Sequence, residues 1–416
     1  MAKNPKLIDK WFTALPSDAG RAVRALLRLA EERSAPLYLV GGPLRDLFLD
    51  RVSLDIDVLV EGDAPALARD LAATLGKRAR LHPAFGTATV PGEGWHIDLA
   101  TARRETYRRP GALPAVTPAT VDEDLQRRDF TINAMALRLT APGAGTLLDP
   151  FGGEADLRAR RIRVLHESSF QDDATRILRA ARYAHRLAFH YDARTAKWMR
   201  RDAGYLQTIS RARIHHEVAR ILAEPEPEAI LLPLGRDGAL RAVHPALRFD
   251  APQAKGFREV RTFGVSPHAA YWPLLVWPER ETDAHGISDR IALTRRQREA
   301  VESLPRNRDL PARLSGDDRP SRAAALLAAV PVPALYALAA MTGGRARQRI
   351  LDYLHRGRTL KPRLRGGDVI ALGVPQGPEV GEVLRRLRVA KLDGEVMTRR
   401  DEERLVRSML AGAPAR

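Results

Sequence analysis

The sequence predicts an α+β protein in which a mixed N-terminal head precedes a long, basic, all-helical remainder. Strand patterns cluster in the first 140 residues, whereas Ile, Leu, Val and Ala recur at helical spacing from about residue 150 onward. The chain has 416 residues, 44% of them hydrophobic and 29% charged. It is therefore long enough for roughly two to four packed units and is neither disordered nor fibrous.

The head begins with helical spacing over residues 1–33 and continues with alternating strand and helix signals. A buried strand that ends at a glycine pair is followed by a helix with Pro43 at its first position, where a missing N–H costs nothing. The predicted strands are 37–42, 53–60, 88–92 and 95–102, and the predicted helices between them are 43–49 and 66–76.

The remainder is predicted to be helical, with breaks rich in Pro and Gly near 224–226, 250–256 and 308–320. The uncharged stretch 323–341 is interrupted by Pro331 and Pro333, so it favours a buried pair of short helices over a membrane span. The predicted helical segments of the middle region are 171–188, 194–206, 211–223 and 227–241.

The charge balance predicts a polyanionic partner. Lys and Arg total 68 against 51 Asp and Glu, a formal net charge of +17, which favours nucleic acid first and an acidic membrane surface second. Cysteine is absent, which excludes disulfides, zinc–thiolate sites and Cys nucleophiles. No stretch at the N-terminus has the apolar core of a signal peptide, so we expect a cytoplasmic protein.

A glycine pair and two aspartates form the first candidate site. Gly41 and Gly42 allow backbone N–H groups to approach an anion at a helix N-terminus, and Arg45 adds a charged donor one turn later. On a strand, residues i and i+2 face the same way, so Asp55 and Asp57 project side by side. Two adjacent carboxylates need a cation, and Mg²⁺ is the natural one for phosphoryl transfer. The pattern predicts a triphosphate-and-metal site.

A second motif, Arg127-Arg128-Asp129 followed by an apolar stretch, has two interpretations. It could belong to the nucleotide site, or it could be a helix start in which Asp129 is the cap and the charges face water.

Four ordered motifs together resemble the class II tRNA nucleotidyltransferase and bacterial poly(A) polymerase family. They are LVGGPLRDLFLDRVSLDID, RRDFTINAMA, LLDPFGGEADLRARRIR and FQDDATRILRAARY, all between residues 39 and 183. The segments 210–222 and 366–387 look like later helical segments of the family. The resemblance implies a polymerase-beta-like nucleotidyltransferase head (1–148), a neck (149–223), a body (224–320) and a tRNA-binding tail (321–416).

The resemblance also implies roles for individual residues. Asp55 and Asp57 would hold the metal ions, and Asp98 could be a third carboxylate that acts as base, although an exposed strand aspartate is the alternative. The glycine pair, Arg45 and Arg128 would contact the nucleotide. The sequence departs from the family at Asp50, where glycine is usual, and at Asp172, where many members have glutamate. The first departure is expected to alter the turn before the catalytic strand.

In this family the motif that begins at Asp172 reads the incoming base. Asp173 can accept a hydrogen bond from the exocyclic amine of cytosine or adenine, and Arg176 can donate to the neighbouring ring nitrogen. At a spacing of three on a helix the two would lie on adjacent ridges, with Arg179 and Arg182 continuing towards phosphate. The alternative is a surface salt bridge on an arginine-rich helix.

The C-terminal segment GVPQGPEVGEVLRRL is a candidate RNA contact. Gly377 and Gly381 could bring backbone N–H groups near a phosphate, with Arg385 and Arg386 following. The alternative is an ordinary turn before a solvated basic helix.

The resemblance predicts a template-independent enzyme that adds CMP, AMP or both to the 3′ end of tRNA. CTP, ATP and tRNA are the expected partners and Mg²⁺ the expected cofactor; neither a membrane nor a protein partner is indicated. CC-only addition, A-only addition and poly(A) synthesis remain open, because Asp173 and Arg176 suit both bases. An idle RNA-binding protein is disfavoured by the two intact carboxylates, and a small-molecule nucleotidyltransferase by the long basic remainder.

Overall fold

The computed structural model describes residues 2–3, 5–106, 111, 115–264, 266–316 and 319–411. The chain divides into two compact units. The first comprises Met1–Ile221 with Asp237–Val243, and the second comprises Leu222–Arg236 with His244–Arg416. The division falls next to the predicted end of the neck at residue 223. The other predicted domain boundaries stay predictions, and residues 317–318 of the joint at 308–320 and 412–416 of the tail lie outside the described residues.

The first unit is built on an eight-stranded sheet whose strands, in spatial order, are β1 Ala2–Lys3, β10 Thr146–Leu148, β9 Ala136–Arg138, β2 Leu37–Val40, β3 Asp55–Val60, β6 His96–Thr101, β5 Thr87–Pro91 and β4 Arg80–His82. Only β3 and β6 run parallel within it; the remaining neighbours are antiparallel. The head also contains the hairpin of β7 Arg103–Thr106 and β8 Ala115–Pro118.

Six helices accompany this sheet, and their ends follow from local sequence. The prediction of a helix over 1–33 is wrong at Ala2–Lys3, which form a strand, and the rest is two helices because Pro16 interrupts it. Asp63 caps one helix through the N–H of Ala66, and Thr120 forms a capping box with Glu123. The helices are α1 Pro5–Ala14, α2 Ser17–Glu32, α3 Gly41–Phe48, α4 Ala64–Thr74, α5 Val121–Gln126 and α6 Gly153–Arg158.

The turn between α3 and β3 contains the first departure from the family pattern. Asp50 has a φ of 54°, a left-handed conformation in which glycine is most at ease and Asp is tolerated. Its carboxylate accepts a hydrogen bond from Lys10 Nζ at 2.6 Å. Aspartate therefore adopts here a left-handed conformation that glycine adopts most easily, and the expected alteration of the turn stays a prediction.

The rest of the first unit is mainly helical, with one correction. Two short strands, β11 Arg161–Ile162 and β12 His190–Tyr191, pair in parallel, so the remainder is not entirely helical. The predicted helix 171–188 is broken at Asp173, whose φ of −145° and ψ of 97° are extended. The helices here are α7 Ser169–Asp172, α8 Thr175–Leu187, α9 Ala193–Asp202 and α10 Arg211–Leu222, followed after α11 Pro227–Arg236 by α12 Ala239–Val243.

The second unit contains no β-strand among its described residues. The uncharged stretch forms two short helices, α18 Pro320–Leu327 and α19 Val332–Met341, with Leu327 and Leu335 fully buried, as predicted. The axes of these two helices differ by 119°, and only together are they long and apolar enough to cross a membrane. No single described helix is long and apolar enough to do so. The unit has α11 and then α13 Ala251–Arg261, α14 His268–Val276, α15 Glu281–Ile291, α16 Arg295–Arg306, α17 Leu310–Arg313, α18 Pro320–Leu327, α19 Val332–Met341, α20 Gly344–Asp352, α21 Gly366–Ala371, α22 Pro378–Leu392 and α23 Arg399–Ala411.

Candidate active site

Three carboxylates lie on one face of the head sheet. Asp55 and Asp57 are two residues apart on β3, and Ile56 between them is fully buried on the opposite face. The parallel pairing of β3 with β6 places Asp55 beside His96 and Asp57 beside Asp98. The side chain of Asp55 is 70% exposed and that of Asp98 44% exposed, so the group opens to solvent at one side.

The carboxylates repel one another. Burial, reinforced by the charge of Asp98 and opposed by Arg128, raises the pKa of Asp57 to about 6. Asp98 accepts a hydrogen bond from Thr89 Oγ1 at 2.5 Å, and its Oδ2 lies 3.4 Å from His96 Nε2. Such a cluster is unfavourable unless a cation neutralises it.

The carboxylates of Asp55 and Asp57 fit a divalent ion whose coordination sphere is completed by substrate. Among the described residues, no three His, Asp or Glu side chains form a full ligand set by themselves. Mg²⁺ commonly takes one or two protein carboxylates and completes its sphere with water and substrate phosphates. Asp55 and Asp57, both acceptor-only when ionised and adjacent on one face, match that requirement.

A cavity of about 720 Å³ lies in the first unit between the carboxylates and a wall of arginines. Of the residues predicted from sequence, eight line it: Gly41, Gly42, Asp57, Asp98, Arg128, Asp173, Arg176 and Arg179. Asp55, Arg45 and Arg182 are not among the described residues that line it. The structure therefore brings most, but not all, of the predicted residues together.

The glycine pair begins α3 at the floor of this cavity. Gly41 has a φ of +67°, and a Cβ there would lie 3.3 Å from Arg128 Nη1 and 3.5 Å from Asp57 Oδ2. The positive φ favours glycine here, and a Cβ would also require the Arg128 side chain to move by a few tenths of an ångström. The first N–H groups of α3 have no partner within the helix, which suits an anion.

Arg45 points into protein rather than into the cavity. It is 4% exposed, and its guanidinium donates to Asp46 Oδ1 and, at 2.9 Å, to Asn133 Oδ1. Its place in this structure is therefore to join α3 to the turn at Asn133. The predicted phosphate contact of Arg45 would require these bonds to be rearranged and stays a prediction.

The Arg127-Arg128-Asp129 motif belongs to the cavity wall. The alternative interpretation, a helix start whose charges face water, is wrong. Arg128 donates to Asp124 Oδ2 and to the carbonyl of Asn133. Asp129 accepts from Asn133 Nδ2 at 3.0 Å and from Arg179 Nη2 at 2.6 Å. Burial alone would raise the pKa of Asp129, but the Arg179 charge and the Asn133 amide together hold it below its usual value.

The base-reading pair does not have the geometry expected from a continuous helix. Asp173 is the extended residue between α7 and α8, so it and Arg176 do not occupy adjacent ridges of one helix. Arg176 is 5% exposed, and it donates to Ser169 Oγ at 2.6 Å and to the carbonyl of Arg127 at 2.7 Å. Both side chains nevertheless line the same cavity, as base reading requires.

Three arginines, one from α3 and two from α8, surround one aromatic ring. The guanidinium carbons of Arg45, Arg179 and Arg182 lie 5.4, 5.7 and 4.9 Å from the centroid of Tyr183. Arg182 is 4% exposed, so its predicted contact with phosphate stays a prediction. The ring stabilises cations that would otherwise repel one another.

Sequence reasoning missed the contribution of α10. Arg213, His216 and Glu217 line the cavity, and Arg213 Nη2 donates to Asp173 Oδ2 at 2.5 Å. Arg213 and Glu217 are four apart and so share a helix face, a signal present in the segment 210–222. Nothing in that spacing indicated which distant acid would meet the arginine.

The tail motif belongs to the second unit. Gly377 precedes α22 with a φ of +154°, and Arg385 and Arg386 both contact Glu382 on the same helix. Gly381 lies within the first turns of α22. The predicted RNA contact of these residues stays a prediction.

Replacing Asp57 by Asn should stabilise the metal-free protein at neutral pH. Because the folded-state pKa is about 6 and the unfolded value 3.8, the folded state binds more protons between these pH values, and ionisation destabilises it as pH rises. We expect the free energy of unfolding of the variant to exceed that of the wild type by about 1–2 kcal/mol above pH 6, and this difference should vanish below about pH 4. Unfolding in urea with a chelator measures it; equal effects at pH 4 and pH 7 would contradict it.

Comparison with known proteins identifies the family. Residues 37–163 match the poly A polymerase head domain, and residues 188–250 match a domain described as a probable RNA and SrmB-binding site of polymerase A. An A-adding tRNA nucleotidyltransferase of Geobacter sulfurreducens is 33% identical over 94% of this chain and 47% of its own length. A CC-adding tRNA nucleotidyltransferase of Deinococcus radiodurans is 32% identical over 97% of both chains. The chain thus spans about half of the first relative and nearly all of the second.

Solved structures agree with this result. A CCA-adding enzyme in an apo form superposes with a TM-score of 0.84 at 28% identity, covering 98% of this chain and 99% of that one. The Thermotoga maritima CCA-adding enzyme complexed with tRNA gives 0.80 at 27% identity, covering 97% and 98%.

The fold and the carboxylate face define a nucleotidyltransferase of the polymerase-beta-like class, whose members use divalent metal ions. More narrowly, the chain belongs to the class II tRNA nucleotidyltransferase and poly(A) polymerase family. The resemblance seen in its motifs and the predicted fold class are both confirmed.

Proposed function

We propose that this protein adds CMP, AMP or both to the 3′ end of tRNA, using CTP and ATP and releasing pyrophosphate. The observation that supports this most strongly is one cavity with carboxylates on one side and Asp173 among arginines on the other. The carboxylate side suits a triphosphate with its cation, and the arginine side suits a base and phosphates. The relatives with A-adding and CC-adding names support tRNA as the acceptor.

The side chains divide the reaction between them. We assign to Asp98 the acceptance of the proton from the terminal 3′-hydroxyl, whose oxygen bonds to the α-phosphorus as the bond to pyrophosphate breaks. The hydrogen bond from Thr89 orients Asp98 for this task. The N-terminus of α3 and Arg128 would bind the triphosphate, and Asp173 and Arg176 would bind the base.

Asp55 and Asp57 would hold Mg²⁺. When bound, the ion would lower the pKa of the attacking hydroxyl and stabilise the departing pyrophosphate. The mutual repulsion of the carboxylates supports this assignment, because it is relieved by a cation. A reducing cytoplasm, where tRNA is processed, is the compartment that we propose for a chain without cysteine.

Full CCA addition, CC-only addition, A-only addition and poly(A) synthesis are distinguished by one experiment. The protein is incubated with Mg²⁺, labelled CTP or ATP, and tRNA that ends at the discriminator base, after one C, or after CC. Extension of the first two tRNAs by C and of the CC-ended tRNA by one A would indicate a CCA enzyme. Extension of the first two by C without extension of the CC-ended tRNA would indicate a CC-adding enzyme, and extension of only the CC-ended tRNA by one A would indicate an A-adding enzyme. Long A tracts on any RNA would indicate a poly(A) polymerase. A protein that incorporates neither CMP nor AMP into any of the three tRNAs would overturn the proposed function.

A further inference from the structure

A second pocket lies in the first unit, apart from the cavity beside the carboxylates. Its volume is about 360 Å³, and none of the described residues that line it also lines that cavity. Phe151, Arg163, Asp192, Arg194 and Trp198 are among its lining residues. A volume in this range suits a small molecule, and the lining residues indicate which kind.

The pairing of the two short strands β11 and β12 builds this pocket. The strands run in parallel, so the segment that follows β11 lies beside the first turn of α9. The N–H of Val164 donates to Thr195 Oγ1 at 3.2 Å and joins the two segments. Arg163 from one segment and Arg194 from the other therefore line the same pocket.

Both arginines keep donors for an anion. Arg163 donates from Nε to Asp156 Oδ2 at 2.7 Å and from Nη2 to the carbonyl of Phe151 at 2.9 Å. Its Nη1 has no hydrogen-bond partner among the described residues. The side chain of Arg194 is exposed, and its guanidinium makes no hydrogen bond or ion pair with the described part of the chain. A phosphate would supply the acceptors that these donors lack.

An aromatic ring lies beside the two cations. Trp198 is four residues after Arg194, so both lie on one face of α9, and Trp198 is half-buried. Asp192 uses Oδ2 to accept from backbone N–H groups of α9, which leaves Oδ1 as a free acceptor. An inorganic anion would need only the arginines. Stacking on an aromatic ring together with a contact to phosphate is typical of nucleotide recognition.

We propose that this pocket binds one nucleotide, with its base against Trp198 and its phosphate at Arg194 and Arg163. Asp192 Oδ1 would accept a hydrogen bond from a ribose hydroxyl. The nucleotide is either free or an unpaired nucleotide of a bound RNA. Only an RNA would also bring a neighbouring phosphate to Lys197, an exposed cation three residues after Arg194. The proposal does not depend on the reaction at the carboxylate face.

Quenching of tryptophan fluorescence tests this proposal, because no tryptophan is among the described residues that line the cavity beside the carboxylates. The protein is titrated with AMP and with a short oligoadenylate, in the presence of a chelator. AMP should quench saturably. Adenosine and inorganic phosphate should compete with AMP at least about tenfold more weakly, since each supplies only part of the contacts. Tighter binding of the oligoadenylate than of AMP would support an RNA ligand, and equal binding would support a free nucleotide.

Three variants locate the signal. Trp198→Phe should remove the quenching, and Arg194→Met should weaken AMP binding about tenfold, as expected for a lost hydrogen bond between charged groups. Arg200→Met removes the same charge from an exposed residue of α9 that does not line the pocket, so it should bind AMP as the wild type does. Melting temperatures show that each variant is folded.

Three results would overturn the inference. They are the absence of saturable quenching by both AMP and oligoadenylate, quenching that persists in Trp198→Phe, and AMP binding by Arg194→Met that equals that of Arg200→Met. None of these measurements uses nucleotidyl transfer, so the proposed function is tested separately.

Discussion

Replacing Asp57 by Ala should abolish nucleotidyl transfer, with kcat falling at least about 10³-fold. The reason is that the paired carboxylates are proposed to hold the divalent ions, whose stabilisation of the transition state is worth several kcal/mol, and each 1.36 kcal/mol is tenfold in rate. Asp55→Ala should have a similar effect, although its side chain lies at the exposed edge of the group. Single-turnover incorporation of labelled nucleotide into tRNA measures the loss.

The same variants should bind tRNA about as well as the wild type, because removing a negative charge does not weaken the attraction of a phosphate backbone. Filter binding or fluorescence anisotropy tests this. Glu32→Ala removes a carboxylate from an exposed position on α2 and should retain full activity. Turnover near the wild-type rate in Asp57→Ala would refute the metal assignment.

Replacing Arg176 by Ala should relax base choice more than it weakens tRNA binding. A well-placed donor to a base edge is worth about 1–3 kcal/mol of discrimination, or roughly tenfold to a hundredfold between CTP or ATP and UTP. The structure adds a second effect. The change leaves the carbonyl of Arg127 and the buried hydroxyl of Ser169 without their donor, so the melting temperature should also fall.

The two effects can be separated with Ser169→Ala. That change removes the 2.6 Å hydrogen bond between Ser169 and Arg176 but leaves the guanidinium in place. It should lower the melting temperature while keeping the preference for CTP or ATP over UTP. If Arg176→Ala also keeps this preference, Arg176 is a structural brace and the base is read elsewhere in the cavity.

The sequence predicted the face that carries the two carboxylates because strand periodicity is local. A period of two places Asp55 and Asp57 on one side and Ile56 on the other, and β3 has this arrangement. The break of the first helix at Pro16 and of the segment 171–188 at Asp173 was not predicted. In both places the helical spacing of apolar residues continues across the break. The break itself depends on the backbone conformation of a single residue, which the spacing does not indicate.

The positions of charged side chains were predicted less well. The phosphate contact of Arg45 stays a prediction, but the sequence did not indicate that this side chain would be buried against Asp46 and Asn133. Arg213 was not singled out, although it holds the carboxylate assigned to base reading. A long arginine side chain reaches several possible partners from one backbone position, so its sequence neighbours do not determine which partner it meets.

By itself the sequence determined the family, the α+β class and the acidic pair on β3, because these depend on motif order and on periodicity within a segment. The tertiary structure alone decided that β6 pairs in parallel with β3, which brings Asp98 beside Asp57, and that α10 brings Arg213 to Asp173. The physical reason is that contacts between segments 40 residues apart depend on strand register and helix packing, which are set by the whole folded unit.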